Sequence, residues 1–157
     1  MTGPWICDMC GGEIDNAGVV RGEDPGKGYV IWQEDAGVAR NFKIIHQGRC
    51  DNDQFELSVA LDRFLGDDGL AYLLSFLSLG PVILRGAPEM RNNPRVADLD
   101  EFVDLIRRLH TPGYEQSRRH YRDDTVLDDL EGANEAFPYS SDGIRAVLDS
   151  VEDQDLP

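Results

Sequence analysis

The sequence has no long apolar run and very little lysine. Its 15 basic residues include only two lysines, Lys27 and Lys43, and the others are arginines. No stretch approaches the roughly 20 apolar residues that a membrane-spanning helix needs. Residues 1–5 have neither the basic start nor the apolar stretch of a signal peptide. We therefore expect a cytoplasmic protein that does not enter a membrane.

Basic residues are also few compared with acidic ones. The 157 residues carry 30 acidic and 15 basic side chains, a formal net charge of −15. A field of this sign repels nucleic-acid phosphate and anionic lipid and attracts basic proteins. Direct nucleic-acid binding is therefore not expected, whereas a protein partner is, and a basic one suits the charge. The sequence does not indicate the oligomeric state.

Cysteine occurs only three times. A disulfide framework would leave one of three thiols unpaired, and a reducing compartment disfavours disulfides. Metal binding would use all three.

Four residues have the spacing of metal ligands. Cys7-x-x-Cys10 lies on a predicted tight turn followed by two glycines, and His46-x-x-x-Cys50 is predicted at a strand end and the start of the next helix. Four soft or borderline ligands suit one tetrahedral Zn²⁺, and such a closed site leaves no position for water. The prediction is a structural zinc ion. The alternative is a Cys7/Cys10 redox pair with Cys50 in the core, but a redox pair normally begins a helix.

This cysteine turn with its glycines, the intervening hairpin and the His46/Cys50 pair resemble the treble-clef and zinc-ribbon group of zinc modules. The resemblance covers about residues 5–65 and favours the treble clef, in which a helix follows the second pair. It implies a fold and not a role. The whole chain also resembles small uncharacterised actinobacterial or phage proteins, which implies no activity.

The chain divides into a β-rich and a helical part, so we expect an α+β fold. Residues 1–65 are predicted to form the zinc-binding β-hairpin module, and residues 66–157 a mainly helical lobe, packed together as one unit. Apolar and β-branched runs predict strands at 17–21, 29–32 and 38–46. A turn is expected at 34–37.

Helical spacing of apolar residues predicts the remaining elements. The first helix is expected at 51–65, or as a shorter one capped by Ser58 after an extended segment. The helix at 69–79 is apolar on most of its circumference and is predicted to be the central buried element. Asp98 and Glu101 form a capping box. Further helices are predicted at 98–109, 111–122 and 123–136, the last of these weakly, and after Ser140 or Ser141.

A second group of candidate residues lies on the later helices. His110, His120 and Glu115 are close in sequence to the dense basic cluster of Arg107, Arg108, Arg118, Arg119 and Arg122. These residues are compatible with an anion site or a general base, but no nucleophile or orienting group accompanies them. A solvated helix face is the favoured interpretation, with the arginines paired internally to Asp100, Asp104, Asp123 and Asp124. Tyr114 and Tyr121, seven residues apart, are expected to pack on one helix face.

The leading hypothesis for function is a non-enzymatic, zinc-stabilised protein-interaction or regulatory protein. One alternative is an inhibitor that mimics the charge of nucleic acid with an acidic C-terminal surface, formed by Asp123, Asp124, Asp128, Asp129, Glu131 and Glu135. The other is an enzyme that uses the arginine- and histidine-bearing helices.

Overall fold

The computed structural model describes residues 4–15, 27–48, 50–51, 57–80 and 94–152. Within these residues the chain forms two small antiparallel sheets and five helices, which confirms the α+β fold class. The strand predicted at 17–21 lies outside the described residues. None of the described helices has the length and apolar character needed to cross a bilayer.

The strands form two separate sheets. They are β1 (Trp5–Ile6), β2 (Glu13–Ile14), β3 (Gly28–Asp35), β4 (Val38–His46) and β5 (Leu57–Ala60). The first sheet is the β1–β2 hairpin, and the second has the order β4-β3-β5. Ala36 and Gly37 both have positive φ, which is the backbone of a tight two-residue hairpin turn, as predicted at 34–37.

Gly28 brings the two sheets together. It lies opposite His46 in the β3–β4 ladder. A Cβ atom at this position would lie 2.9 Å from side-chain atoms of both Ile14 and Leu61. The close approach of these apolar side chains places β2 beside the end of β4.

Five helices and two short 3-10 helices complete the described chain. They are a 3-10 helix (Leu61–Phe64), α1 (Gly66–Leu77), α2 (Leu99–His110), α3 (Tyr114–Ser117), α4 (Asp124–Asp129), a second 3-10 helix (Phe137–Tyr139) and α5 (Ser141–Glu152). The helix predicted at 111–122 is thus limited to α3, and the weak one at 123–136 to α4.

The helix predicted at 51–65 is wrong over the part of it that the structure describes from residue 57 onwards. Leu57–Ala60 is strand β5, with Val59 opposite Val30 on β3, and Leu61–Phe64 is a 3-10 helix. The apolar spacing that resembled one helix face comes from a strand followed at once by a 3-10 turn. Burial of Leu61 and Phe64 in the core favours this path over a continuous helix.

The prediction that the helix at 69–79 is the central buried element is also wrong. Helix α1 buries Gly69, Leu73 and Phe76, but Leu74 is 49% and Tyr72 is 39% exposed. Among the described residues, the elements that pack against α1 cover only one face of the helix. The core lies between the β3–β4 hairpin and α2, and its aromatic centre comprises Trp32, Phe42, Phe64, Phe76 and Phe102.

Helix α2 begins where the sequence predicts. The Asp98 side chain accepts hydrogen bonds from the amides of Asp100 and Glu101. The Glu101 carboxylate accepts from the amides of Asn41 and Phe42 on β4. Asp98 thus caps the helix as predicted, whereas the Glu101 side chain joins α2 to the sheet.

Candidate metal centre

The first two candidate ligands lie on the turn between β1 and β2. The Cys7 amide donates to the Gly12 carbonyl, and the Gly11 amide donates to the Cys7 carbonyl. Gly11 has a φ of +71°, which a residue with a side chain rarely adopts. This closed turn holds Cys7 and Cys10 on one side of the hairpin.

The other two candidate ligands come from the end of β4. His46 is the last residue of that strand, and Cys50 lies in the turn after it. The ligand atoms of Cys7, Cys10, His46 and Cys50 all lie within 4.8 Å of one another, so the structure brings together the four residues that the sequence predicts and forms a possible metal-binding site.

The distances within this cluster suit a small tetrahedral ion. His46 Nδ1 is 3.4 Å from Cys10 Sγ and 3.8 Å from Cys50 Sγ. Usual zinc–sulfur and zinc–nitrogen bond lengths place the two donor atoms about 3.6 Å apart in a tetrahedron. The two nitrogen–sulfur distances therefore match the spacing that such an ion requires.

A backbone contact orients the imidazole of His46. Its Nε2 lies 2.9 Å from the carbonyl oxygen of Glu13. Because a carbonyl can only accept, Nε2 carries the proton and Nδ1 presents its lone pair to the thiols. In metal-binding histidines, a hydrogen bond from the ring nitrogen that does not bind the metal fixes the tautomer in this way.

The thiols are held in contrasting environments. A hydrogen bond from the Gly12 backbone, with smaller contributions from neighbouring thiols, lowers the pKa of Cys10 to about 6. Burial and the neighbouring thiols raise the pKa of Cys50 to about 11. The negative charge of an ionised Cys10 opposes ionisation of Cys50, and a bound cation removes that opposition.

Asp8, between the first two ligands, ties their turn to β4. Its amide donates to the Ile44 carbonyl at 2.8 Å, and its carboxylate accepts from the Ile44 amide at 2.7 Å. Ile44 precedes the candidate ligand His46 by two residues. Sequence reasoning missed Asp8, and its position between two cysteines was the only available signal.

Arg108 and Glu115 are buried, contrary to the predicted solvated face. They are 4% and 3% exposed, and two hydrogen bonds of 2.8 and 2.9 Å join them. Burial lowers the pKa of Arg108, but the hydrogen bonds of Glu115 and the charge of Asp8 outweigh it, so the pKa lies above its usual value. The guanidinium is therefore charged, and its partners balance it.

The two histidines of this region make separate contacts. His110 Nε2 donates to the Phe64 carbonyl at 2.8 Å, while His120 Nδ1 lies 2.9 Å from the Asp123 carboxylate. Each contact joins the histidine to a different element, Phe64 in the first 3-10 helix and Asp123 at the start of α4. The structure thus gives each histidine its own local partner.

Two further arginines pair within the fold. Arg118 pairs with Asp104 at 2.9 Å, as the sequence predicts. The guanidinium of Arg107 lies 3.6 Å from the centre of the Tyr139 ring. Tyr114 and Tyr121 do pack against each other, but α3 ends at Ser117, so they do not share one helix.

The six residues of the predicted acidic C-terminal surface are exposed to solvent. They are Asp123, Asp124, Asp128, Asp129, Glu131 and Glu135. They begin at the α4 N-terminus and continue into the chain after that helix.

No protein-family model, curated protein or solved structure matches this chain.

Proposed function

We propose that the four clustered residues bind one structural Zn²⁺ and that the protein is a non-enzymatic interaction or regulatory protein. The observation that carries the zinc assignment is the donor set itself, Cys7, Cys10, His46 and Cys50, whose ligand atoms lie within 4.8 Å of one another. Three thiolates and one imidazole favour Zn²⁺ and complete its coordination shell. A closed shell supports a scaffolding role for the ion.

The type of zinc module follows from the chain after Cys50. Two ligand-bearing turns flank the β3–β4 hairpin, and residues 57–64 form a strand and a 3-10 helix. A treble clef would be expected to have an α-helix after the second ligand pair, a part of the chain that the structure describes from residue 57 onwards. The elements at 57–64 favour a ribbon-like module, while the treble clef that the sequence favours stays a prediction.

Metal analysis of the purified full-length chain tests the zinc assignment. Elemental mass spectrometry is expected to find one zinc per chain in the wild type and none in Cys50→Ser. Met9→Ser is the matched control because Met9 lies in the same turn with an exposed side chain. A wild-type chain that is fully folded without metal would overturn the assignment.

The partner surface that we propose is the groove between β5 and α1. It is lined by apolar Val59, Leu65 and Tyr72 together with Asp62, Arg63, Asp68 and Gly69. Exposed apolar surface with a polar border is typical of protein-binding sites. The excess of carboxylates here and the net charge of −15 favour a basic protein as the partner.

The exposed carboxylates of the C-terminal third support the second candidate, a mimic of nucleic-acid charge. Paired charge reversals distinguish the two surfaces. We expect Asp62→Lys with Asp68→Lys to abolish capture of a basic partner from lysate, whereas Asp128→Lys with Asp129→Lys leaves it intact. Both pairs change the net charge equally, so the opposite result would assign binding to the acidic C-terminal surface.

A further inference from the structure

The buried charges of Arg108 and Glu115, together with Asp8, join the candidate zinc turn to α2 and α3. Arg108 Nη1 donates to the Asp8 carboxylate at 2.8 Å, and Arg108 Nε donates to the Glu115 carboxylate at 2.8 Å. Arg108 Nη2 donates both to Glu115 and to the carbonyl of Ile6, on β1. We call the trio Asp8, Arg108 and Glu115 the clasp.

Backbone and side-chain contacts of β1 complete the same junction. The Ile6 amide donates to the Glu115 carboxylate at 2.8 Å, and Trp5 Nε1 donates to the Arg108 carbonyl at 3.0 Å. Gln116 donates to the carbonyl of Pro4. The Ile6 backbone and the Trp5 indole of β1 thus find their partners on α2 and α3, about a hundred residues away in sequence.

The position of Asp8 depends on the ligand turn, because it lies between Cys7 and Cys10. A bound ion would link this turn to His46 and Cys50 and so reinforce the two hydrogen bonds that hold Asp8 on Ile44. If the turn opens, Arg108 loses both Asp8 and the Ile6 carbonyl. Glu115 simultaneously loses the Ile6 amide, which leaves buried polar groups without partners, and such groups are costly.

The two helices depend on this junction to different extents. Helix α2 has a second attachment, since Phe102, Leu105 and Leu109 are buried in the core. Helix α3 spans only Tyr114–Ser117, far below the length at which an isolated helix is stable. On its other side α3 is held by the hydrogen bond from Tyr114 to Asp104 on α2 and by the packing of Tyr114 on Tyr139. Loss of the clasp therefore releases the side of α3 that faces the N-terminal hairpin.

We propose that zinc occupancy controls the docking of α3 on the N-terminal hairpin, and that the clasp transmits this control. The inference rests on the proposed zinc site. Coupling between two sites is reciprocal for binding free energies. The clasp therefore strengthens zinc binding, although Arg108 and Glu115 are not ligands.

The first test measures zinc affinity of the full-length chain by competition with a chromogenic chelator. Asp8→Asn and Glu115→Gln are each expected to raise the zinc Kd by about 10–100-fold, the usual effect of losing an outer partner of a metal site. Asp35→Asn is the matched control, because Asp35 also pairs with an arginine but on the exposed hairpin. Its Kd should equal that of the wild type.

Glu115→Gln distinguishes transmission through the clasp from local damage to the ligand turn, because Glu115 contacts that turn only through Arg108 and β1. If Asp8→Asn weakens zinc binding and a folded Glu115→Gln does not, Asp8 acts locally and the proposed transmission is wrong. Circular dichroism of the zinc-loaded variants establishes that each is folded. If Glu115→Gln does not fold, the exchange measurement on the wild type decides.

The second test follows amide hydrogen exchange of the wild type with zinc and after chelation. The amides of Ser117 and Arg118, which donate to Gly113 and Tyr114, should lose protection without zinc, while those of α5 retain it. Unchanged protection of α3, together with exchange in the ligand turn, would overturn the inference and leave the zinc site intact. A wild-type chain that takes up no zinc overturns both.

Discussion

At the scale of single residues, the buried charges of Arg108 and Glu115 are stable only while each keeps its partners. Each is more than nine-tenths buried, and each makes several hydrogen bonds. Such a pair adds little to stability compared with apolar residues, but the loss of one partner leaves a buried charge uncompensated. The position of Arg108 is thus intolerant of neutral substitutions.

We predict that Arg108→Met lowers the free energy of unfolding by about 3–5 kcal/mol, because Glu115 remains buried without its counter-charge. Urea unfolding of the zinc-loaded protein measures the change. The control is Arg145→Met, whose exposed pair with Asp142 spans 3.8 Å and contributes at most about 1 kcal/mol. Equal effects of the two substitutions would contradict the prediction.

We also predict that Gly28→Ala is destabilising by about 1–3 kcal/mol, the usual cost of overpacking a filled core. The added methyl group would lie 2.9 Å from Ile14 and Leu61, so the two sheets must separate slightly. Thermal and urea unfolding measure the loss. A variant as stable as the wild type would show that these side chains move aside without cost.

The ligand residues could be predicted from the sequence because the spacing within each pair is local. Cys7 and Cys10 occupy one turn, and His46 and Cys50 follow one strand. The burial of Arg108 could not be predicted in this way. It depends on Asp8, a hundred residues away, and composition and periodicity carry no information about such a pairing.

At the scale of elements, strand β4 has its outer edge covered by groups from elsewhere in the chain. Glu101 accepts from Asn41 and Phe42, Asp8 accepts from Ile44, and the backbone of residues 95–97 pairs with Ala39. An uncovered strand edge invites pairing with another chain. These contacts pair outward backbone groups of β4, so the edge is closed without a further strand.

We predict that Glu101→Ala lowers the free energy of unfolding by about 1–3 kcal/mol, because two strand amides lose their acceptor. Amide exchange at Asn41 and Phe42 should increase at the same time. Asp100→Ala, on the exposed side of the same helical turn, is the control. Unchanged exchange at both amides would show that water replaces the carboxylate without cost.

The elements that could be predicted are those whose local sequence pattern determines their secondary structure, whatever they pack against. The β3–β4 hairpin has a β-branched run and a clear turn, and α2 has its Asp98 cap. Strand β5 was mistaken for a helix because Leu57, Leu61 and Phe64 fit a helical period. The partner strand β3 decides its conformation, and a local pattern does not reveal that partner.

At the scale of the whole molecule, the proposed zinc ion connects the two ends of the N-terminal region and thereby supports contacts with the helices. Structural zinc in small modules contributes roughly 10–16 kcal/mol, comparable to the total stability of about 5–15 kcal/mol of many domains. Removal of the metal should therefore affect more than the ligand turn.

We predict that excess chelator lowers the Tm and shifts tryptophan fluorescence to longer wavelength. Trp5 is buried on β1 and donates to Arg108, so opening of the ligand turn exposes its ring to water. Comparison with Trp5→Phe assigns the signal, because the remaining Trp32 lies in the aromatic core. A shift that persists unchanged in Trp5→Phe would place the opening elsewhere.

The large sequence separation within the clasp has a consequence during synthesis of the chain. Cys50 completes the ligand set well before Glu115 is made, and at roughly 5–20 residues per second the interval is about 3–13 s. During that interval the candidate ligands are all present, while the Ile6 backbone still lacks its partners on α2 and α3. If zinc binds as proposed, the order of synthesis thus gives the hairpin time to take up the ion before the helices close over it.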